Sequence, residues 1–186
     1  MASSPGTELH VWRARLDSDD WPRGGELPAE ERERAASMLR LEQRRRWVAA
    51  RWALRGVLGR YLERRPAAIE LRFGERGKPM LAEPDAPLRF NLSHSGELAL
   101  IAVAEGREVG VDVQLVGSRH PAQFYADWTR REAIAKCHGT GLWAPLPAAE
   151  VAVTSLDAGA GFAAAVAVAG DEVPEVRRFE LEPGGT

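Results

Sequence analysis

The hydrophobic residues of the chain fall into eight short strand-like runs separated by longer stretches with helical spacing. The first run covers residues 8–15. The others are Ile69–Phe73, Leu88–Leu92, Leu98–Ala104, Val109–Val113, Val151–Leu156, Phe162–Val168 and Arg177–Leu181. Leu98–Ala104 and Val109–Val113 are close enough along the chain to predict a hairpin across Glu105–Glu108. Glycine and proline predict a loop over Gly74–Pro87.

Three stretches carry the signals of helices, so the whole pattern predicts a mixed α+β protein. Pro28 followed by an acidic turn predicts a short helix. A longer helix is predicted over about Glu42–Arg64 and stops at Pro66. A proline and a following glycine bracket a third helix, Pro121–His138.

Apolar spacing predicts which face of each longer helix is packed inside. The second helix has an apolar stripe made of Trp47, Leu54, Val57, Leu58 and Tyr61. Its other face carries five arginines, for which solvation is the usual explanation, namely Arg44, Arg46, Arg51, Arg55 and Arg60. The third helix carries Phe124, Trp128 and Ala135 on a stripe expected to face a sheet.

A weak internal sequence similarity suggests two related halves. The run LALIAVAEGREV at 98–109 is similar to FAAAVAVAGDEV at 162–173, and a strand pair follows a helix in both halves. We therefore expect an N-terminal half at 1–107 and a C-terminal half at 108–186, packed as one unit with a ligand cleft between them.

Composition narrows the function classes. A net charge of −2 argues against general nucleic-acid binding, which needs a basic surface. The longest apolar stretch, Phe162–Ala169, is too short to span a bilayer, and the N-terminus has no signal-peptide pattern. A single cysteine, Cys137, excludes an intramolecular disulfide and fits a reducing, cytoplasmic location. The four histidines and the cysteine have no zinc-site spacing.

Two acids and a lysine are candidates for a phosphate or metal site. Asp112 lies in an apolar strand-like segment, and alternation puts Gln114 on the same face. An acid there is costly unless it is solvated, paired or bound to a metal, and a solvent-facing strand remains the alternative. Glu132 and Lys136 share one helix face, where a surface ion pair is the alternative. If the helix packs on this strand, the two carboxylates converge as in a typical Mg²⁺ site, and Lys136 can bind the same phosphate chain.

Polar residues at the end of Leu88–Leu92 suit phosphate oxygens. Ser93 and His94 are neighbours on a strand, so they point to opposite faces and cannot form the nucleophile–base contact of a hydrolase. Lys78 stands on a rigid turn, where a plain solvated loop is equally consistent. The sequence has no P-loop and no dinucleotide glycine fingerprint.

Read in order, these motifs resemble the 4′-phosphopantetheinyl transferase superfamily. The resemblance covers roughly Leu39–Gly170 and matches the larger, monomeric class, typified by the enzyme that activates surfactin synthetase. It also includes the arginine-bearing helix around Arg46–Arg55. The motifs are GKP at 77–79, FNLSHS at 90–95, GVDV at 110–113, WTRREAIAK at 128–136 and GTGL at 139–142.

The resemblance implies a pseudo-dimer of two α/β halves that binds coenzyme A in the cleft. The implied reaction moves 4′-phosphopantetheine from coenzyme A to a serine of an acyl or peptidyl carrier protein, with Mg²⁺, and releases 3′,5′-ADP. Asp112 and Glu132 would hold Mg²⁺, Glu132 would also be the base, and Lys136 would contact the pyrophosphate. The remaining coenzyme A contacts implied by position are Arg46, Lys78, Ser93, His94 and Arg131.

Three departures from the family pattern bear on activity. Gln114 occupies a position where the family often has a third acid, so it would be a neutral oxygen ligand to the metal. Arg131 replaces the usual lysine. Only 15 residues separate Asp112 from Trp128, where relatives commonly carry an extra helix and loop, and the stretch after Leu142 is also reduced. We therefore expect a shortened second half, and a non-catalytic relative that binds coenzyme A or a carrier protein remains the alternative.

Overall fold

The computed structural model describes residues 7–74, 77–83, 85–139 and 150–184. In chain order the strands are β1 Leu9–Arg15, β2 Leu71–Phe73, β3 Pro79–Leu81, β4 Leu88–Ser95, β5 Leu98–Glu105, β6 Val109–Leu115, β7 Val151–Leu156, β8 Phe162–Ala169 and β9 Val176–Leu181. The α-helices are α1 Ala29–Ala36, α2 Leu41–Leu62 and α3 Ala122–His138. The mixed α+β class is confirmed, and each predicted helix is present.

The first sheet has the strand order β4-β5-β1-β9, and α2 packs against one of its faces. Within it β9 runs parallel to β1, whereas the other neighbours are antiparallel. The core between this face and α2 includes Ile101, Val103, Phe90, Leu54 and Leu58. Alternation along β4 and β5 therefore leaves a second set of side chains on the opposite face of the sheet.

The second sheet has the order β6-β8-β7 and is antiparallel throughout. One of its faces meets the first sheet, where Val109, Val111 and Val113 pack against β1 and β5. The other face receives α3, so the layers run helix, sheet, sheet, helix. Gly110 permits the close approach of α3, because a Cβ at this position would lie 2.1 Å from the carbonyl oxygen of Ala133.

The predicted hairpin between Leu98–Ala104 and Val109–Val113 is wrong. The first of these strands pairs with β1 and β4, whereas the second pairs with β8 in the other sheet. Gly106, with φ of 67°, lies in the turn that carries the chain from one sheet to the other. The two strands contact through their apolar faces instead of their backbones. The predicted loop Gly74–Pro87 also contains a strand, β3, which pairs with β2.

The interpretation of the arginine face of α2 as solvated is wrong for two of its members. Arg51 and Arg55 are 5% and 2% exposed, because α1 places the carboxylate of Glu31 against them. The predicted packing face of α3 is also wrong in part, since Phe124 is 42% exposed. The alanine-rich surface of β8 accepts the small side chains of Ala133 and Cys137 instead.

The end of the last motif, residues 140–142, and the reduced stretch that follows lie outside the described residues. Within the described ranges, we find no helix with both the length and the apolarity needed to cross a bilayer.

Candidate functional site

Asp112 is the centre of a buried polar cluster between β4, β6 and α3. The residue is only 2% exposed, yet its carboxylate has three polar neighbours. Lys136 Nζ and Ser93 Oγ donate to Oδ1 at 2.6 and 2.8 Å. Gln114 Nε2 donates to Oδ2 at 3.4 Å, as expected for two side chains on one face of a strand. Asp112 is therefore a paired acid rather than a solvent-facing one.

Lys136 contacts Asp112 and also bridges the two sheets, through Ser93 on β4 and Val111 on β6. Its ammonium group also donates to Ser93 Oγ at 3.0 Å and to the carbonyl oxygen of Val111 at 3.3 Å. The three contacts match the three donors of an ammonium group. The side chain is nevertheless 29% exposed, so it also reaches the surface of the neighbouring cavity.

Glu132 lies one turn before Lys136 and is close to the same cluster. Burial raises the pKa of its carboxyl group, nearby Lys136 lowers it, and the charge of Asp112 raises it further. The charges of Asp112 and Lys136 therefore both act on Glu132, and hydrogen bonds join Asp112 directly to Gln114 and Lys136. All four come from β6 and α3, which are joined by a short connection.

A cavity of about 280 Å³ opens beside this cluster. Its charged and aromatic walls are formed by Arg34, Arg51, His94, Lys136, Trp47 and Phe73. The guanidinium of Arg51 lies over the Trp47 and Phe73 rings, at 5.7 and 5.3 Å from their centroids. Burial lowers the pKa of His94, and the charges of Lys136 and Arg51 lower it further. A cavity with this concentration of positive charge suits an anionic group.

The remaining basic residues named from the sequence lie elsewhere. Lys78 Nζ contacts Glu108 Oε2 and the carbonyl oxygen of Lys136, both at 3.0 Å, and so holds the end of α3. Arg46 forms an ion pair with Glu42 at 2.6 Å and lines a separate cavity of about 830 Å³ together with Arg44 and Arg45. Arg131 is exposed on α3.

Sequence reasoning missed the ion cluster that supports the cationic cavity. Arg51 Nε and Arg55 Nε donate to different oxygens of Glu31, at 2.7 and 3.1 Å, and Arg55 Nη1 also donates to the carbonyl oxygen of Ile69 at 2.6 Å. Arg34, on the same short helix as Glu31, was missed as well. One sequence signal was present, because Arg51 and Arg55 are four residues apart inside an otherwise apolar run.

The lowered pKa of His94 predicts a specific dependence of stability on pH. The unfolded chain takes up a proton near the ordinary histidine pKa of about 6.5, whereas the folded state resists protonation. The contribution of neutral His94 to the free energy of unfolding is therefore fully present above about pH 6.5 and is lost as the pH falls below that value. We expect the unfolding free energy of wild type, relative to that of His94→Gln, to decrease between pH 7.5 and 5.5.

Urea unfolding of both proteins at several pH values measures this difference. The same comparison with His120→Gln is the control, because His120 is exposed and stacks on Phe124 away from the cluster. A wild-type to His94→Gln difference that is constant across the pH range contradicts the prediction.

Comparison with known proteins identifies relatives of one kind. A family model described as "4′-phosphopantetheinyl transferase, N-terminal" matches residues 18–106. The chain is 32% identical over 178 residues to 4′-phosphopantetheinyl transferase HetI of Nostoc sp., a match that covers 79% of this chain and 75% of the relative. It is 34% identical over 127 residues to 4′-phosphopantetheinyl transferase AcpT of Escherichia coli K12, covering 54% and 61%. It is 30% identical over 168 residues to a phosphopantetheinyl transferase of Thraustochytrium sp., covering 70% and 56%.

The matched regions are longer in these relatives than in this chain. The match to HetI extends over 178 residues, whereas 79% of the 186 residues of this chain is about 147. The match to AcpT extends over 127 residues, whereas 54% of this chain is about 100. Each of these two relatives therefore has about 30 residues within the match that have no counterpart in this chain.

The predicted resemblance is confirmed at the level of the superfamily, while the larger, surfactin-synthetase-activating class stays a prediction. The family model, the HetI match over three quarters of that relative and the order of the motifs agree. The chain belongs to the 4′-phosphopantetheinyl transferase family.

Proposed function

We propose that the protein transfers the 4′-phosphopantetheine group of coenzyme A to a serine of an acyl or peptidyl carrier protein, with Mg²⁺, and releases 3′,5′-ADP. The observation that carries the proposal is the convergence of Asp112, Glu132 and Lys136 at the edge of a cationic cavity. One side of this arrangement offers oxygen ligands and the other offers positive charge. A diphosphate bound to a divalent cation needs both.

The cationic cavity takes the 3′-phosphate end of coenzyme A in this proposal. His94, Arg34 and Arg51 surround a space of about 280 Å³, which fits a phosphate group with part of its sugar. Arg51 is held in place by Glu31, so its guanidinium does not have to be ordered when the ligand binds. Arg46, Lys78 and Arg131 remain proposed outer contacts to the same ligand. Anion binding also raises the pKa of His94 and is coupled to proton uptake.

The acids fit a magnesium ion by the chemistry of their donors. Asp112, Glu132 and Gln114 supply hard oxygen atoms, which Mg²⁺ prefers. The described residues contain no group of three or more histidine, cysteine, aspartate or glutamate side chains that could hold a metal. Such a partial set leaves positions for substrate oxygens. Bound Mg²⁺ would neutralise charge on the diphosphate. Lys136, which already contacts Asp112, is the cation that orients the same diphosphate.

Glu132 accepts the proton in the proposed reaction. The serine hydroxyl of the carrier attacks the β-phosphorus, its oxygen forms the new P–O bond, and its proton passes to Glu132 directly or through a water. The P–O bond to the departing 3′,5′-ADP breaks on the opposite side. Burial raises the pKa of Glu132 and so strengthens its carboxylate as a base. The cleft contributes by holding the two reacting groups in line.

The proposal includes the pseudo-dimeric arrangement with halves at 1–107 and 108–186, in a monomer that acts in the cytoplasm. Each half has a helix packed on a sheet, α2 on the first sheet and α3 on the second. The last strand, β9, crosses over and completes the first sheet. The site lies where β4 of the first half approaches β6 and α3 of the second.

The competing function is binding without turnover. It is favoured by Gln114, which supplies one less negative charge to a metal, and by the roughly 30 residues that the relatives HetI and AcpT have in addition. In that case the protein binds coenzyme A or a carrier protein but does not transfer the group.

Incubation with an apo-carrier protein, coenzyme A and Mg²⁺ separates the two functions. We expect the mass of the carrier to increase by one phosphopantetheine, because the acids, the cations and the cavity of the site are all present. Intact-protein mass spectrometry measures the increase, and a reaction with EDTA in place of Mg²⁺ should show none. Unchanged mass across several carriers, with coenzyme A binding still detected by calorimetry, rejects transfer in favour of the competing function.

A further inference from the structure

Strands β4 and β6 are joined without backbone pairing. β4 is the edge of the first sheet and β6 is the edge of the second, so the outward N–H groups of β6 have no strand partner within the described part of the chain. The N–H groups of Val111 and Val113 are buried and would be costly without an acceptor, whereas Leu115, at the end of the strand, is 47% exposed. In this protein they are accepted by side chains.

Three side chains of β4 provide the acceptors in regular order. Val111 N donates to Asn91 Oδ1 at 2.9 Å, and Val113 N donates to Ser93 Oγ at 3.3 Å. Leu115 N donates to Ser95 Oγ at 3.0 Å. Each pair is 20 residues apart along the chain, so the register is constant. Alternate side chains of one strand thus match alternate N–H groups of the other, because both repeat every two residues.

The middle contact is connected directly to the acid of the site. Ser93 Oγ accepts from Val113 N and Lys136 Nζ and donates to Asp112 Oδ1. A hydroxyl group has one donor and two acceptor positions, and these three contacts use all of them. Ser93 therefore has no hydrogen-bonding capacity left for a ligand while the contacts persist. Asn91 and Ser95 contact β6 on either side of it and touch none of the charged groups of the site.

We propose that Asn91, Ser93 and Ser95 form a side-chain ladder that fixes β6 against β4 and thereby positions Asp112 next to Lys136 and Glu132. The three are positioning residues for the transfer reaction, so this inference rests on the proposed function. The ladder fixes the position of Asp112, a proposed metal ligand on β6, relative to β4 of the first half. A shift of β6 by even about 1 Å would misplace the Asp112 carboxylate, and displacements of that size can cost about 100-fold in rate.

Asn91→Leu tests the ladder at a residue that contacts neither ligand nor charge. Leucine has similar volume but no acceptor, so the N–H of Val111 loses its partner. We expect amide hydrogen exchange at Val111 to become faster by about tenfold, which corresponds to loss of one hydrogen bond. Ser95→Ala should have a smaller effect of the same kind on Leu115, because that residue is 47% exposed and water can replace the lost acceptor. NMR exchange rates measure each amide separately.

The kinetic readout distinguishes positioning from a general loss of stability. In Asn91→Leu we expect kcat to fall by roughly 10- to 100-fold while the KM for coenzyme A changes little. The Mg²⁺ concentration for half-maximal activity should increase. Ser93→Ala should behave in the same way, and Ser93→Thr, which keeps the hydroxyl group, should recover most of the lost activity.

Ser155→Ala is the matched control. Ser155 lies on β7 of the same sheet and is exposed, and its hydroxyl accepts a long contact of 3.5 Å from Arg130 Nη1. Ser155→Ala should change neither the exchange rates of the three amides nor kcat.

Unchanged amide exchange at Val111 in Asn91→Leu overturns the ladder as a positioning device. Faster exchange with unchanged kcat overturns it as well. If Asn91→Leu does not fold, both amide exchange and kcat are measured in Ser95→Ala, which lies at the partly exposed end of the ladder. Failure of the wild type to transfer would reject the proposed function, whereas the exchange rates would still test the ladder.

Discussion

Asp112→Asn should reduce the rate of phosphopantetheine transfer by about 10²- to 10³-fold while the protein remains folded. Mutational losses of this size are typical when a single preorganised electrostatic contact to a reacting group is removed. Asparagine keeps the size of the side chain but removes the charge that pairs with Lys136 Nζ at 2.6 Å and that a metal ion needs. Lys136 is 29% exposed, so its unpaired charge can be hydrated without unfolding the chain. Single-turnover transfer to the apo-carrier measures the loss.

Asp127→Asn is the control for this change. Asp127 is exposed on α3, and Gln123 Nε2 donates to its Oδ1 at 2.9 Å. The substitution removes the same charge from the same part of the molecule, so a general effect of net charge would appear in both variants. Transfer by Asp112→Asn at more than about a tenth of the wild-type rate would contradict the electrostatic role of the site, because the contact would then be worth less than roughly 1.4 kcal/mol.

Glu31→Ala should destabilise the folded protein by about 3–5 kcal/mol, the usual cost of removing one partner from a buried charge pair. Glu31 is buried and receives hydrogen bonds from Arg51 and Arg55. Without the carboxylate, two buried guanidinium groups face each other with no negative charge between them. Burial already lowers the pKa of Arg51 against the opposing effect of Glu31. Unfolding in urea, followed by circular dichroism, measures the change.

The exposed pair of Arg64 and Glu83 supplies the comparison for this second prediction. Both of its side chains are about half exposed, and such pairs contribute from nothing to about 1 kcal/mol. Glu83→Ala should therefore leave the unfolding free energy almost unchanged. Equal effects of the two substitutions would show that the buried cluster adds no more stability than a surface ion pair.

The elements could be predicted well because their signals are local. The long helix was predicted over Glu42–Arg64 and lies at Leu41–Leu62, and Pro66 together with Glu63 in the left-handed region accounts for its end. The strand around Asp112 was predicted from alternation alone. Such patterns depend on neighbours within one or two turns, and those are visible in the sequence.

Strand pairing and side-chain burial were harder to predict from the sequence, because both depend on segments that are distant along the chain. The arginines at 51 and 55 are buried only because Glu31, 20 and 24 residues earlier, lies on a separate helix. The hairpin was mispredicted because proximity along the chain does not decide which sheet a strand joins. Phe124 was expected to pack inside because it is apolar, but its ring stacks on His120 and Trp128 at the surface and stays 42% exposed.

The same distinction applies to the candidate site. Asp112 lies on β6, and Glu132 and Lys136 lie on α3. The sequence placed these three residues together only on the condition that α3 packs on β6, which it does. The separation of Arg46 from the His94 cavity could not be predicted, since it depends on the direction of a side chain along α2. The family supplied the chemistry of the residues, while the ladder from Asn91 to Ser95 became visible only in the packing of two sheet edges.

The position of β9 has a consequence for synthesis on the ribosome. The first sheet pairs β1 with β9 as parallel neighbours, although Leu9 and its partner Val176 lie far apart along the chain. Until β9 has been synthesised, the outer side of β1 has unpaired backbone groups that can associate with another nascent chain. A product that stops before residue 176 therefore keeps an open strand edge that favours aggregation.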